Sequence, residues 1–489
     1  MMFFFSVFIS LLLGFLVCHL IFSESKTINF RFLVNLSFPI GVGLSSLIFI
    51  FFNLLGLSAL LVFFIEIGLV IFLIFKIKYS SKTVTQYEWF NINNSARSDG
   101  TGSSGGVLQN AILILAIGIY LYSWLMDIGI YYFDTVQNPL GLWDAWACWN
   151  LNAKFISGAP HVWPQLIHQM NPTDFAPDHP LLQKGFIARC WLLMQNESIW
   201  VPVVSSFIFT FCIIGLLSTS VSFFTNKFEG LIAGLILLCT PFLMKLGDSQ
   251  YADNTVGFFY LATIVLLTFA RSGASIKPRL LFAAGITAGL AAWSKSEGLL
   301  FIVCLFASQL TLLFFRDRRE LLKELKYLFL GMLPILLMVA YFKIVIAPPN
   351  RILSPEGGSP FIKLLDYSRY EIAYSWFKGN FKVFGEWILN PWWLFLIGIV
   401  VKGINFKENA YSFISNFTLL VLMLLGFFFV EIITPLSLYY YLSTSVHRLL
   451  SQLFPSFIFV YFLAISNKTD FRTPRKVIDL VRKKFKKPV

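Results

Sequence analysis

Charged residues make up only 13% of this 489-residue chain, and acids are the rarer sign, with 25 Asp and Glu against 38 Lys and Arg. With 57% hydrophobic residues and a mean hydropathy of +0.74, no water-soluble fold can hide so much apolar surface. The net charge of +13 would point to nucleic acid in a soluble chain. Here it points to loops retained on the cytoplasmic side. Histidine is scarce, and His161 and His168 share a loop without the further ligands that a zinc site needs. The six cysteines show neither metal nor disulfide spacing. Cys18, Cys212, Cys239 and Cys304 lie in apolar runs and read as small hydrophobes, while Cys148 and Cys190 share a loop in which a mutual disulfide is open. The first apolar run lacks a basic n-region and a clear small-residue cleavage site, so it reads as a span rather than a removed signal.

What is present is a series of long apolar runs. About 20 apolar residues cross a bilayer as a helix. By that rule about thirteen spans are expected, near 2–22, 33–54, 57–76, 108–130, 199–224, 230–246, 254–271, 279–294, 298–315, 327–346, 391–404, 411–434 and 449–465. Basic residues gather in the loops around Lys26 and Arg31, Lys76 to Arg97, Arg271 to Arg279 and Arg316 to Lys326, and in the tail from Lys468 to Lys487. Those loops are predicted to be cytoplasmic, and the tail suits contact with anionic lipid. Four parts follow: an accessory three-helix segment (1–77), a flexible polar linker (78–107), a membrane module (108–465) and a basic cytoplasmic tail (466–489). The module carries two long external loops, 131–198 and 347–390.

The stretch Trp143 to Lys154, WDAWACWNLNAK, sets one carboxylate among three tryptophans just after a span ends. In α-helical register Asp144 shares a face with Ala147, Cys148 and Leu151, so the acid would head a short amphipathic helix. An anion there is favoured by the helix dipole, and tryptophans at a span end mark the membrane–water interface. A plain N-cap within an aromatic belt is the competing reading. Three further features recur at span ends on the same predicted side: Asp253 in YADN, Lys295 and Glu297 in WSKSEG, and Arg448 in SVHRLL. Ionisable residues at membrane depth are functional candidates, although a single Lys or Arg is more often a snorkelling side chain. Acids and bases converging on one face suit proton abstraction beside neutralisation of a phosphate.

In the order, spacing and sidedness of WDAWACWNLNAKF, YADNTVGFF, WSKSEGLLF and TSVHRLLSQLFP, the chain resembles the GT-C superfamily of polytopic glycosyltransferases over roughly 108–465. It looks most like the bacterial branch of protein mannosyltransferase-like and aminoarabinose transferase-like enzymes of the glycosyltransferase family 39 type. The pattern departs from that family where Asp144 is followed by Ala145 rather than a second acid, and where a Lys-Gly-Pro turn is replaced by Lys295-Ser296-Glu297-Gly298.

The resemblance implies an all-α multi-pass enzyme of the bacterial cell membrane. It would move a sugar, with inversion, from a polyprenyl-phosphate carrier to a glycan, lipid or protein acceptor on the periplasmic or external face. Asp144 would be the general base, and Asp253 would orient the acceptor or position Asp144. Lys295 and Arg448 would neutralise the donor phosphate; Arg351, read separately from its segment APPNRILSPEGG, would close over the carrier phosphate. Read from their own segments, Trp143, Trp146, Asp178, His179 and Glu297 are candidates to line the substrate site, with a structural histidine in a Pro-rich turn the equal alternative for His179. No cofactor is expected; if a divalent cation were used, Asp144 and Asp253 would be its oxygen ligands. An O-antigen ligase or polymerase is the alternative enzyme class. A polyprenyl-lipid transporter or flippase would instead predict repeated halves and mid-span charges, and of the latter only Lys343 stands out.

Overall fold

In a bilayer every backbone amide must be bonded within the protein, which leaves the helix as the solution for apolar runs of this length. The computed structural model describes residues 2–23, 27–79, 86–88, 104–171, 175–273, 276–349, 359–387, 390–405 and 409–465. Arg351, most of the polar linker and the basic tail lie outside the described residues. The chain is helical almost throughout, apart from a three-residue parallel pairing of Thr27–Asn29 with Gln86–Glu88.

Three helices lead: α1 (Met2–Phe22), α2 (Phe30–Leu54) and α3 (Ala59–Tyr79). After α4 (Ser104–Gln137) come the short α5 (Leu151–Gly158), α6 (Trp163–His168) and α7 (Leu182–Met194). Then follow α8 (Trp200–Phe224), α9 (Lys227–Leu238), α10 (Pro241–Asp248), α11 (Asp253–Arg271), α12 (Lys277–Ser294), α13 (Glu297–Leu310) and α14 (Arg318–Tyr341). The last third holds α15 (Pro360–Leu365), α16 (Tyr367–Lys382), α17 (Trp392–Lys402), α18 (Ala410–Ile433) and α19 (Leu438–Ile465).

Among the described residues nine helices are long and apolar enough to cross a membrane, ten if the pair α9 and α10 forms one span. That pair replaces the straight helix expected over 230–246. It bends by 62° where Pro241 opens α10, since proline has no N–H to continue the preceding ladder. The run expected at 391–404 forms the shorter α17.

Burial ranks the helices. Of its most apolar stretch, α11 has 94% of residues covered and α19 has 89%, against 22% for α3, so α11 and α19 form the axis of the bundle. Close crossings use glycine: a Cβ on Gly285 of α12 would lie 2.1 Å from the Leu328 carbonyl oxygen, and one on Gly331 of α14 would lie 2.0 Å from that of Phe282. Helix α2 packs on both α7 and α8. Buried Arg189 of α7 is ion-paired to buried Glu66 of α3, tying the leading helices to the remainder.

Both ends of α11 are charged. At its C-terminal end Arg271 bonds Glu324, which also receives Arg316 at 2.6 Å and Lys277 at 2.8 Å, at the level of the basic loops. At the other end stands Asp253.

Candidate active site

Asp253 opens α11, where the helix dipole favours an anion. The turn before it is held tightly, with Gln250 in the left-handed region at φ +59°. Gln250 donates to the Pro139 carbonyl at 3.2 Å, and Asn150 donates to the Leu140 carbonyl at 3.1 Å and to the Gln250 side chain at 3.4 Å. Trp149 packs with Ala145, Ala252 and Tyr251. These contacts bring segment 139–150, with Asp144, against the start of α11.

Asp144 precedes a π-helical turn, Ala145–Asn150, rather than the α-helix expected there. The wider turn breaks the i, i+4 alignment with Cys148, and π turns occur frequently at functional sites. The carboxylate does not cap the helix; instead its Oδ2 accepts from Arg448 Nη1 at 2.7 Å.

Arg448 joins the two acids. Its Nε and Nη2 donate to Asp253 Oδ2 at 3.1 and 2.7 Å while Nη1 reaches Asp144, and its guanidinium lies 4.5 Å from the Tyr251 ring centre. Four residues on, Gln452 donates to Asp253 Oδ1 at 2.7 Å. Lys295, in an extended conformation between α12 and α13, donates to Asp253 Oδ1 at 3.0 Å and to Glu297 Oε1 at 2.8 Å. Burial alone would lower the Lys295 ammonium, but the two carboxylates hold it above its ordinary value. The result is a chain of alternating charge: Asp144, Arg448, Asp253, Lys295, Glu297. Asp253 is 1% exposed and accepts four bonds, whereas the Asp144 side chain is 26% exposed.

Beside this chain the loop with Asp178 and His179 is pinned to the same helix break. His179 Nδ1 lies 3.4 Å from Ser296 Oγ, and Lys343 donates to Ser296 Oγ at 3.0 Å while pairing with Asp178 Oδ2 at 3.6 Å. Lys343 occupies a second π turn, Phe342–Ile346, at the end of α14 and so belongs to this face of the bundle, not to mid-span. Lys184 donates to the carbonyls of Ala176 and His179 at 3.2 and 2.9 Å, and burial pushes its ammonium down to about 7. Trp143 and Trp146 meet edge-to-face at 4.7 Å and are exposed beside Asp144.

Of the residues picked out by sequence, Asp144, Asp253, Lys295, Glu297 and Arg448 form one bonded array, with Asp178 and His179 adjoining it through Ser296. Gln452, Tyr251 and Ser296 were not anticipated, while Lys184 and Trp149 are legible in the sequence only as neighbours of the candidates in PDHPLLQKG and WDAWACWNLNAK. Gln452 carried a usable signal, since it lies one turn from Arg448 on the same helix face. As ligands for one cation, Asp144 and Asp253 are poorly placed, because the Arg448 guanidinium stands between them. Among the described residues no cluster of three or more His, Cys, Asp or Glu side chains is arranged to hold a metal ion. The six cysteines form no disulfide, and Cys148 and Cys190 are both buried.

A helical multi-pass bundle with a bonded array of acids and bases at the N-terminal end of α11 suits a polytopic membrane glycosyltransferase of the GT-C type. Sequence comparison supports that class: residues 178–342 match the family model of the dolichyl-phosphate-mannose-protein mannosyltransferases. The match includes Asp178, His179, Asp253, Lys295 and Glu297, while Asp144 and Arg448 fall outside it. No curated protein and no solved structure matches the chain.

Proposed function

We propose that the protein transfers a sugar from a polyprenyl-phosphate donor to a hydroxyl or amine acceptor at the external face of the cell membrane, with Asp144 as general base. The carrying observation is the asymmetry of the two acids on Arg448. Asp253 is enclosed and fully bonded, so it fixes the guanidinium and the Lys295 ammonium. Asp144 is partly exposed, held through an ion pair to Arg448, and able to take a proton from an incoming acceptor. In the transfer the acceptor O–H or N–H gives its proton to Asp144 as its heavy atom bonds the anomeric carbon. The bond from that carbon to the phosphate oxygen breaks, and the lipid phosphate leaves with the electron pair. Attack opposite the leaving group inverts the anomeric centre.

The phosphate gains negative charge in this step, and Arg448 is placed to stabilise it. Lys295 acts by holding Asp253 and Glu297, and Arg351, in the segment APPNRILSPEGG, is assigned to the carrier phosphate as a cation of the second external loop. Trp143 and Trp146 line the exposed side of Asp144, with Asp178, His179 and Glu297 shaping the substrate side. The reaction as proposed needs no metal, since proton removal and charge neutralisation are both supplied by side chains.

Membranes carrying Asp144→Asn at wild-type expression level test the reading with labelled polyprenyl-phosphate sugars. Transfer is expected to fall by about 10²- to 10⁴-fold, the range for loss of a general base. Undiminished transfer overturns it.

A further inference from the structure

We propose that the donor phosphate displaces Asp144 from Arg448, so that donor binding itself releases the base and must come before acceptor deprotonation. The inference rests on the reading of Asp144 as base. Arg448 has two working edges. The Nε and Nη2 edge is committed to Asp253, which is buried and accepts further bonds from Lys295 and Gln452. Leaving that edge would deprive the buried Asp253 Oδ2 of both its bonds, out of reach of water, which is unfavourable. Nη1 is the terminal nitrogen left for a ligand, and Asp144 occupies it at 2.7 Å. The Asp144 side chain, at 26% exposure, can reach water when it leaves the guanidinium, which enclosed Asp253 cannot.

The remaining contacts hold the guanidinium still while its partner changes. The Tyr251 ring lies against it at 4.5 Å, and two bonds, from Nε and Nη2 to the single oxygen Oδ2 of Asp253, hold that edge in place. A phosphate oxygen arriving at Nη1 therefore meets a preoriented donor already occupied by an anion. Two anions competing for one cation give mutual exclusion. Once the phosphate is seated, Asp144 is close to the anomeric carbon's acceptor side but is no longer tied to the cation that the leaving group needs. As the sugar–phosphate bond breaks, the lipid phosphate passes from one negative charge towards two, which strengthens its hold on Arg448 through the transition state. Once Asp144 has passed its proton to water and the lipid phosphate has departed, the carboxylate returns to the guanidinium and closes the cycle.

The test measures binding of polyprenyl phosphate, without sugar, to purified wild type, Asp144→Asn, Arg448→Gln and the double variant. Equilibrium binding of labelled polyprenyl phosphate serves as the readout. Asp144→Asn is expected to bind about ten-fold more tightly than wild type, because the competing anion is gone, and the gain is expected to vanish in the Arg448→Gln background. Equal or weaker binding by Asp144→Asn overturns the proposal. A gain that persists without Arg448 also overturns it, since that is the signature of a general field effect. If Arg448→Gln does not fold, Arg448→Lys takes its place: it keeps the charge beside Asp253 but lacks the second arm, and the same loss of gain is expected. Transfer by Asp144→Asn reports separately on the base assignment, so failure of the exchange and failure of the base are read from different measurements.

Discussion

At the scale of single residues, the site separates groups that are fixed from groups that can change partner. His179 belongs to the fixed set. Its ring lies 5.4 Å from that of Trp149 and its carbonyl accepts from Lys184. Burial pushes its imidazole from the ordinary 6.5 down to about 4, against the opposing pull of Asp178 and Glu297. Between those pH values the unfolded chain binds a proton that the folded chain refuses, so stability must fall as pH drops from about 6.5 towards 4. A melting series in detergent is expected to show this loss in wild type and to show less of it in His179→Gln. Equal acid sensitivity in the two proteins would mean that the ring is not held neutral. The same contrast explains why Gln452 matters. Its amide gives buried Asp253 a bond without adding charge, and Gln452→Leu is expected to lower transfer by reorienting Arg448, with lipid-phosphate affinity changing as well.

At the scale of elements, the break between α12 and α13 shows how a short motif is built. Lys295 must leave the helix for its ammonium to lie between Asp253 and Glu297, and the chain must turn back at once into α13. Gly298 permits the turn: a Cβ there would lie 2.1 Å from the Ala291 carbonyl oxygen and 2.2 Å from its carbon, backbone atoms that cannot rotate away. Gly298→Ala is therefore expected to reduce the yield of folded protein and, in what folds, to impair transfer more than a surface Gly→Ala such as Gly379→Ala, where the added methyl meets open space. Comparable yield and transfer for the two would show that the turn can relax. The helices themselves were legible from hydropathy, because lipid leaves a long apolar run no other structure. The clustering of charge at span ends was legible for the same reason, since ionisable groups are costly elsewhere. The partners were not. Arg448 reaches Asp253 across 195 residues of sequence, and a π turn before Leu151 shifts the face on which α-helical spacing placed Asp144. Periodicity describes a single helix and carries no information about which span ends meet. It also could not foresee that Lys295 and Arg448 would first neutralise a buried acid.

At the scale of the whole molecule, two charged networks sit at opposite ends of α11, and a third pair binds the leading helices to them. Glu66 and Arg189 are both fully buried, and α7, which carries Arg189, also carries Lys184, whose two carbonyl bonds hold the loop of His179. The leading helices thus reach the candidate site through α7, alongside the packing of α2 on α8 and the bond from Trp293 to Ser46. Removing one member of a buried ion pair leaves the other uncompensated, typically at 3–5 kcal/mol, whereas replacing both with apolar groups of similar size can be neutral. Glu66→Gln and Arg189→Met singly are expected to lower the melting temperature and the folded yield. The double replacement Glu66→Leu with Arg189→Met is expected to recover most of both, and transfer per folded molecule should return with it. Recovery of stability without recovery of transfer would give the pair a part in setting the site beyond holding α3 against α7. Failure of the double variant to recover stability would mean that the pair supplies an orientation that apolar packing cannot replace.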